Sequence, residues 1–177
     1  QMEYLLDIFK DGRECGSILN VEECDWKLLQ DYVEDLDADG QITFESYGSE
    51  ETQKSLRLLI KVAKNLGQKY DAVVTNPPYM GVSVAGPKLN EYVRDWYFKT
   101  KTDLYAVFMV RNNMFTKKGG YYSLVTQHSW MFLKSFTDLR KKIMKNNLVN
   151  MTHLGTRAFE EIGGEVVQTT SFIVRNE

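Results

Sequence analysis

Residues 70–79 read Tyr70-Asp71-Ala72-Val73-Val74-Thr75-Asn76-Pro77-Pro78-Tyr79, and this stretch decides the fold. Its first six residues include two valines and a threonine in succession, a composition typical of a buried strand. The two prolines have no backbone N–H to donate to a sheet, so the strand is expected to end before them. Ligands of α/β proteins bind beyond the carboxyl ends of strands, and the sequence therefore predicts a site at residues 76–79.

Two helices are predicted upstream of this strand. Apolar residues recur at intervals of three and four within 22–33, which predicts a short amphipathic helix. Ser49 is a typical N-cap residue and acidic side chains follow it, so a second helix is expected to begin there and to end near Gly67. Residues 1–67 are therefore interpreted as a helical and acidic lead-in, and residues 68–177 as the part that carries the sheet.

Helices and strands alternate downstream. A loop is expected over 81–87, and Asp103 is expected to cap a helix over 104–115, which the cations and glycines of 117–120 would end. The remaining predicted elements are strands at 121–126, 148–154 and 165–175 and a helix at 135–147. This order predicts an α/β fold, a mixed sheet flanked by helices with crossover connections.

Composition favours one globular domain over residues 1–177. The 177 residues are 43% hydrophobic and 26% charged, which excludes a wholly disordered chain. No run of ~18 apolar residues is present, so no membrane span is expected. Cys15 and Cys24 do not form a C-x-x-C pair, and the opening residues do not form a signal peptide. These features predict a soluble protein in a reducing, cytoplasmic setting.

Charge is distributed unevenly along the chain. Residues 1–75 carry 8 Lys and Arg against 16 Asp and Glu, whereas residues 76–177 carry 14 against 8, so the two parts have net charges of -8 and +6. A basic second part is compatible with binding a polyanion, because neutralised phosphates release counterions, but a lysine-rich surface shows the same excess. The cluster of Arg140, Lys141, Lys142 and Lys145 could contact DNA phosphate, but its helical spacing favours a solvated face.

The motif at 76–79 has a chemical interpretation. The side-chain oxygen of Asn76 and the backbone carbonyl of Pro77 can accept both hydrogens of an exocyclic amine, which raises the electron density on that nitrogen. Tyr79 can stack on a planar base, as a nucleotide flipped out of a duplex requires. The alternative is an ordinary proline turn with a half-buried tyrosine, since Asn-Pro dipeptides commonly form turns.

With this motif the sequence resembles the amino-group DNA methyltransferases, which modify N6 of adenine or N4 of cytosine and share the signature (Asn/Asp/Ser)-Pro-Pro-(Tyr/Phe/Trp). The blocks at 101–108 and 127–133 and the glycine pair before the second strand resemble later motifs of the adenine-specific enzymes. The run over 153–176 is similar to the large adenine-specific methyltransferases of BREX/Pgl phage-exclusion systems, with the type IIG restriction-modification enzymes next. The resemblance implies a partial Rossmann-like sheet, S-adenosylmethionine as cofactor and double-stranded DNA as substrate.

The family's site residues transfer onto six positions of this sequence. Asn76 and Pro77 would bind the target amine with Pro78 holding the turn, and Tyr79 would stack on one face of the flipped adenine. Phe159 resembles the family's second stacking aromatic, and a core phenylalanine is the alternative. Asn20 resembles the polar residue that contacts the cofactor after an early strand.

Part of the family's machinery is not found in this sequence. The family binds S-adenosylmethionine through a glycine-containing turn after its first strand and an acidic residue that ends the second, and no such turn precedes Asn76. The chain therefore resembles the part of a methyltransferase from its third strand onward, with the remainder of the parent enzyme as its partner. By itself it is expected to be inactive, to bind the cofactor incompletely, and to self-associate through an exposed sheet edge.

One alternative from a different class is a calcium-binding or structural interaction module. Residues 35–42 reproduce the first eight positions of an EF-hand loop, with oxygen ligands at Asp35, Asp37 and Asp39 and a glycine at the bend. The twelfth position should be a bidentate glutamate and is Ser46, so an acidic solvated loop is favoured and no metal ligand is assigned. His128 and His153 do not match a zinc motif and are expected to be ordinary histidines.

Overall fold

A computed structural model describes residues 1–38, 46–98, 100, 103–156 and 168–177. The chain forms two compact units, Gln1–Gln68 and Lys69–Glu177. Each unit is described by itself below.

The regular structure in the described residues of the first unit is helical. Its helices are α1 (Met2–Ile8), α2 (Gly12–Cys15), α3 (Trp26–Ala38) and α4 (Ser46–Gly67), with single 3-10 turns at Phe9–Asp11 and Gly16–Ile18. Their apolar faces meet in one core of buried side chains, namely Leu5, Val21, Leu29, Val33, Ile60 and Ala63. Burial of these faces supplies most of the stability of such short helices.

Both helices expected here are present, with shifted starts. The first begins at Trp26 because the carboxylate of Asp25 accepts a hydrogen bond from the Leu28 N–H at 3.0 Å, which satisfies a free amide of the first turn. The second begins at Ser46, so Ser49 lies inside the helix and is not its N-cap. It ends at Gly67, as expected.

The second unit carries the sheet. Its elements are β1 (Tyr70–Thr75), α5 (Pro87–Trp96), α6 (Leu104–Phe115), β2 (Thr116–Gln127), α7 (Thr137–Ile143), β3 (Asn147–Gly155) and β4 (Thr169–Arg175). Short 3-10 helices lie at Val82–Val84, His128–Met131 and Lys134–Phe136. The predicted strand 70–75 and the predicted helix 104–115 have the bounds of β1 and α6.

The four strands lie in the order β1-β2-β4-β3. β1 and β2 are parallel, whereas β4 is antiparallel to both β2 and β3. Alternate residues of β2 and β4 point to one buried face, on which Tyr122 pairs with Val174 and Leu124 with Phe172. The mixed sheet flanked by helices is thus confirmed, and the parallel pair places the carboxyl ends of β1 and β2 at the same edge of the sheet.

The expectation that β1 is buried is wrong for the described residues. β1 lies at one end of the strand order, and the side chain of Val74 is 80% exposed. A β-branched composition signals a strand but does not say how many neighbours cover it, because those come from elsewhere in the chain. The exposed sheet edge expected at this strand is present.

The expectation that residues 117–120 end a helix is also wrong, because they open β2. Gly119 has a φ of +79°, and its N–H donates to the Asn176 carbonyl at 2.6 Å. A Cβ at Gly120 would lie 2.7 Å from the carbonyl oxygen of Asp71, so only glycine fits where the two strands pass. The glycine pair therefore allows the close pairing of β1 and β2, although in sequence it resembles a helix terminator.

Candidate active site

The loop that follows β1 carries the Asn-Pro-Pro-Tyr motif. The side chain of Asn76 is exposed, Pro77 is buried and Tyr79 is half-buried. The Tyr79 hydroxyl donates a hydrogen bond to Asn76 Oδ1 at 3.3 Å. The motif therefore brings an accessible amide oxygen and an aromatic ring together at the carboxyl end of an edge strand.

The start of α6 fixes the far end of this loop. The backbone N–H of Leu104 donates to the carbonyl of Met80 at 2.9 Å, and Gly81 forms an antiparallel bridge with Asp103. α6 begins directly after Asp103, as the sequence predicts. Residues on both sides of the motif are thus held by regular structure, β1 before it and α6 after it.

The ring of Tyr79 packs against a second tyrosine. Its centroid lies 6.3 Å from that of Tyr105 at an interplanar angle of 85°, an edge-to-face arrangement. Tyr105 is fully buried in the first turn of α6, and its hydroxyl and Ser129 Oγ are 2.8 Å apart. Burial raises the pKa of Tyr79 above its ordinary value, so the hydroxyl keeps the proton that it donates to Asn76.

The exposed oxygen of Asn76 can accept more than one hydrogen bond. An amide oxygen has two lone pairs, and the Tyr79 hydroxyl occupies one of them. The second is available to an amine donor that approaches from solvent, since Asn76 is exposed. Recognition of an exocyclic amine needs such a free lone pair to accept one of the amine hydrogens.

Of the two other sequence-predicted site residues, one belongs to the first unit and the other lies outside the described residues. Asn20 belongs to the first unit and is half-buried there. It follows the 3-10 turn Gly16–Ile18, which the Leu19 N–H closes on the Gly16 carbonyl, and not an early strand, so that part of the expectation is wrong. Phe159 lies outside the described residues.

No metal centre is found in the part of the chain that the structure describes. Its His, Cys, Asp and Glu side chains form no group of three or more that could hold a metal ion. The calcium-loop hypothesis concerns residues 35–46, of which 39–45 lie outside the described ranges. The alternative interpretation, an acidic solvated loop, concerns the same residues and therefore also stays a prediction.

Sequence reasoning missed a histidine pair. His128, directly after β2, and His153, in β3, lie with Nδ1 and Nε2 2.9 Å apart, although 25 residues separate them in the chain. Antiparallel pairing through β4 brings the two strand ends together. No local spacing signals such a contact, because it depends on the order of the strands.

A cavity of the second unit lies at the opposite edge of the sheet. It measures about 700 Å³ and is lined by the end of α6, by α7 and by the residues after β4, including Asn113, Lys141 and Asn176. None of its lining residues belongs to the loop 76–79. Its chemistry is therefore separate from the motif, and we place the candidate active site at the loop.

Two members of the basic cluster on α7, Arg140 and Lys141, have contacts within the second unit. The guanidinium of Arg140 donates to the carbonyls of Trp130 and Leu133, each at 2.7 Å, so Arg140 holds the chain after β2 in place. Lys141 lies 3.9 Å from Asp138 one turn back on α7. Arg140 is thus a structural residue.

Together, an α/β unit with a mixed, Rossmann-like sheet and an Asn-Pro-Pro-Tyr loop at the carboxyl end of a strand defines the class of the amino-group methyltransferases. Comparison with known families gives the particular assignment. The chain belongs to the family described as Eco57I restriction-modification methylase, whose model matches residues 6–159.

Two curated relatives match nearly the whole chain. An adenine-specific methyltransferase PglX from Lacticaseibacillus casei (strain Zhang) is 46% identical over 98% of this chain and 14% of its own length. An adenine-specific methyltransferase BrxX from Escherichia coli O9:H4 (strain HS) is 37% identical over 97% of this chain and 14% of its own length. The chain thus spans 14% of the length of these relatives.

A solved structure is similar in fold. It comes from work on complex assembly and conformational transition of the type I R-M system, and it aligns with a TM-score of 0.51 and 18% identity. The alignment covers 64% of this chain and 22% of that one. Among the residues described here, no helix has the length and apolar character needed to cross a membrane.

Proposed function

We propose that the protein carrying this chain transfers a methyl group from S-adenosylmethionine to N6 of an adenine flipped out of double-stranded DNA, within a restriction-modification or phage-exclusion system. One observation carries the proposal: the exposed Asn76 oxygen and the Tyr79 ring lie together at the carboxyl end of β1. An amide acceptor beside a stacking ring is what an aromatic amine requires.

Asn76 and Pro77 act on the amine. The N6 lone pair is delocalised into the adenine ring and is a weak nucleophile. When the Asn76 side-chain oxygen and the Pro77 carbonyl accept the two N–H hydrogens, electron density and tetrahedral character at N6 increase. The acceptors are fixed before the reaction and need no reorganisation during it, which is the main source of electrostatic catalysis. Buried Pro77 and its neighbour Pro78 hold the turn rigid.

Tyr79 and Phe159 hold the base. The Tyr79 ring stacks on one face of the flipped adenine, and Phe159 stacks on the other. Stacking replaces the neighbours that the base loses on leaving the duplex. It also fixes the direction of the N6 lone pair, and orientation of this kind contributes several kcal/mol to catalysis, about 7 or more in favourable cases.

The described residues supply only part of a cofactor site. When bound, S-adenosylmethionine would supply the electrophilic methyl group: the bond from N6 to the methyl carbon would form as the carbon–sulfur bond breaks, S-adenosylhomocysteine would leave, and N6 would release one proton to solvent. The candidate contacts in this chain are residues 76–79 of the second unit and, separately, Asn20 of the first unit, and the sequence has no glycine turn before Asn76. We therefore assign most cofactor contacts, and the recognition of the DNA sequence, to the remainder of the parent protein as partner.

The test uses the full-length protein with methyl-labelled S-adenosylmethionine and duplex DNA, followed by nucleoside analysis. We expect N6-methyladenine from the unaltered protein, and a loss of about a hundredfold or more in Asn76→Ala, as for removal of one preorganised acceptor. Asn65→Ala, on α4, is the matched control and should retain the rate. Product appearing as N4-methylcytosine, or an active Asn76→Ala, would refute the proposal.

A further inference from the structure

Tyr105 lies directly beneath the proposed stacking residue. It occupies the second position of α6, has no exposed surface, and meets the Tyr79 ring at 85° with 6.3 Å between centroids. Phe136 packs against another side of Tyr105 at 5.8 Å. The Tyr105 ring is therefore enclosed, and Tyr79 rests on a support that cannot rotate away.

A single hydrogen bond anchors that support to the neighbouring strand. The Tyr105 hydroxyl and Ser129 Oγ are 2.8 Å apart, and Ser129 lies in the 3-10 helix that follows β2. Burial raises the pKa of Tyr105 to about 12, so the hydroxyl is protonated at neutral pH and can donate to the serine. The bond joins the start of α6 to the carboxyl end of β2.

We propose that Tyr105 and Ser129 are positioning residues for Tyr79 in the methyl transfer proposed above, on which this inference rests. The Ser129–Tyr105 hydrogen bond fixes the Tyr105 ring, the Tyr105 ring packs edge-to-face with the Tyr79 ring, and the Tyr79 hydroxyl reaches Asn76. Side chains from three successive segments thus set the plane on which the base is stacked relative to the amide that binds its amine. Neither Tyr105 nor Ser129 needs to touch the base.

If Tyr105 and Ser129 had a purely structural role, their variants would lose stability without a specific loss of kcat. Tyr122 provides the comparison. Tyr122 is also a buried tyrosine, on β2, with a side-chain hydrogen bond to Asn146. It pairs with Val73 in β1 and not with the motif. Removal of its hydroxyl therefore costs stability of the same kind without changing the support of Tyr79.

The experiment compares Tyr105→Phe, Ser129→Ala, the double variant and Tyr122→Phe in the full-length protein. For each variant, kcat, KM for DNA and Tm are measured. We expect Tyr105→Phe to lower kcat by about two- to tenfold, the range expected for losing one net hydrogen bond, with KM for DNA changed less than about twofold. Ser129→Ala should do the same, and the double variant should be no slower than the worse single variant, since both remove one interaction.

Tyr105→Phe is the cleaner of the two single changes. It keeps the ring and leaves Ser129 able to bond to water, whereas Ser129→Ala leaves a buried hydroxyl without a partner and lowers Tm further. Tyr122→Phe should lower Tm while kcat stays at the unaltered value.

Three results would overturn the inference: unchanged kcat in Tyr105→Phe, effects of Tyr105→Phe and Ser129→Ala on kcat that multiply in the double variant, or an equal loss of kcat in Tyr122→Phe. Failure of the proposed function is seen separately. If the unaltered protein methylates no adenine, the proposed function is overturned and this inference with it. The same holds if the Asn76→Ala variant methylates adenine as fast as the unaltered protein.

Discussion

Replacing Tyr79 by phenylalanine and by alanine separates the ring from its hydroxyl. The hydroxyl bond to Asn76 is 3.3 Å long, well beyond the ~2.7–2.8 Å usual for O–H···O, and Asn76 is exposed, so water can replace it. Tyr79→Phe should therefore cost no more than about 0.5 kcal/mol, the lower end for a net hydrogen bond. The stacking surface and the edge contact with Tyr105 remain.

Tyr79→Ala removes the ring itself. The loss of stacking on one base is worth about 1–3 kcal/mol. The edge-to-face contact with Tyr105 disappears as well, and such pairs contribute about 0.5–1.5 kcal/mol. Loss of the contact with Tyr105 affects folding and the support of the loop. The change in the free energy of DNA binding should therefore come mainly from the lost base stacking, about 1–3 kcal/mol.

The assay is equilibrium binding of the full-length variants to a duplex with 2-aminopurine at the target position, read by its fluorescence. Stacking against Tyr79 quenches the flipped probe, so Tyr79→Ala should give weaker binding and a brighter bound state, whereas Tyr79→Phe should match the unaltered protein in both. If Tyr79→Phe is as damaging as Tyr79→Ala, the hydroxyl is the functional group and the stacking role is refuted.

Three further predictions concern the isolated chain. It should bind S-adenosylmethionine no tighter than the micromolar range and methylate no DNA, because few contacts remain to offset the ~4 kcal/mol or more that association costs; sub-micromolar binding in calorimetry would contradict this. It should bind calcium only in the ~millimolar range, because Ser46 replaces the bidentate glutamate; a melting temperature that rises at micromolar calcium would favour the calcium module. It should self-associate through the β1 edge, and Val74→Lys should reduce the associated fraction in sedimentation more than Val84→Lys, an equally exposed control away from the strand.

Local signals in the sequence were sufficient to place the motif 76–79 directly after a strand. The β-branched run and the two prolines fix where β1 ends, and Asp103 marks where α6 begins. Both are properties of residues close together in the chain. The prolines remove backbone donors after β1, and the backbone carbonyl of Asp103, without a side-chain cap hydrogen bond, accepts the first N–H groups of α6. The motif 76–79 was therefore placed correctly at a strand end.

What the sequence did not predict depends on residues far apart in the chain. The exposure of β1 follows from the strand order, and the use of Gly120 in β2 follows from the approach of Asp71. The His128–His153 contact requires β4 to lie between β2 and β3. Each of these is a consequence of sheet pairing, which residue spacing does not encode.

The support of the proposed base-stacking residue comes from one β-α-β arrangement. Because β1 and β2 are parallel, Tyr79 after the first strand and Ser129 after the second reach the same edge of the sheet, and the connection between them supplies Tyr105. Every contact named above for this loop lies within Lys69–Glu177. The geometry of Asn76 and Tyr79 is thus set by the second unit. If the proposed function holds, the shape of the target-base site depends on this unit alone.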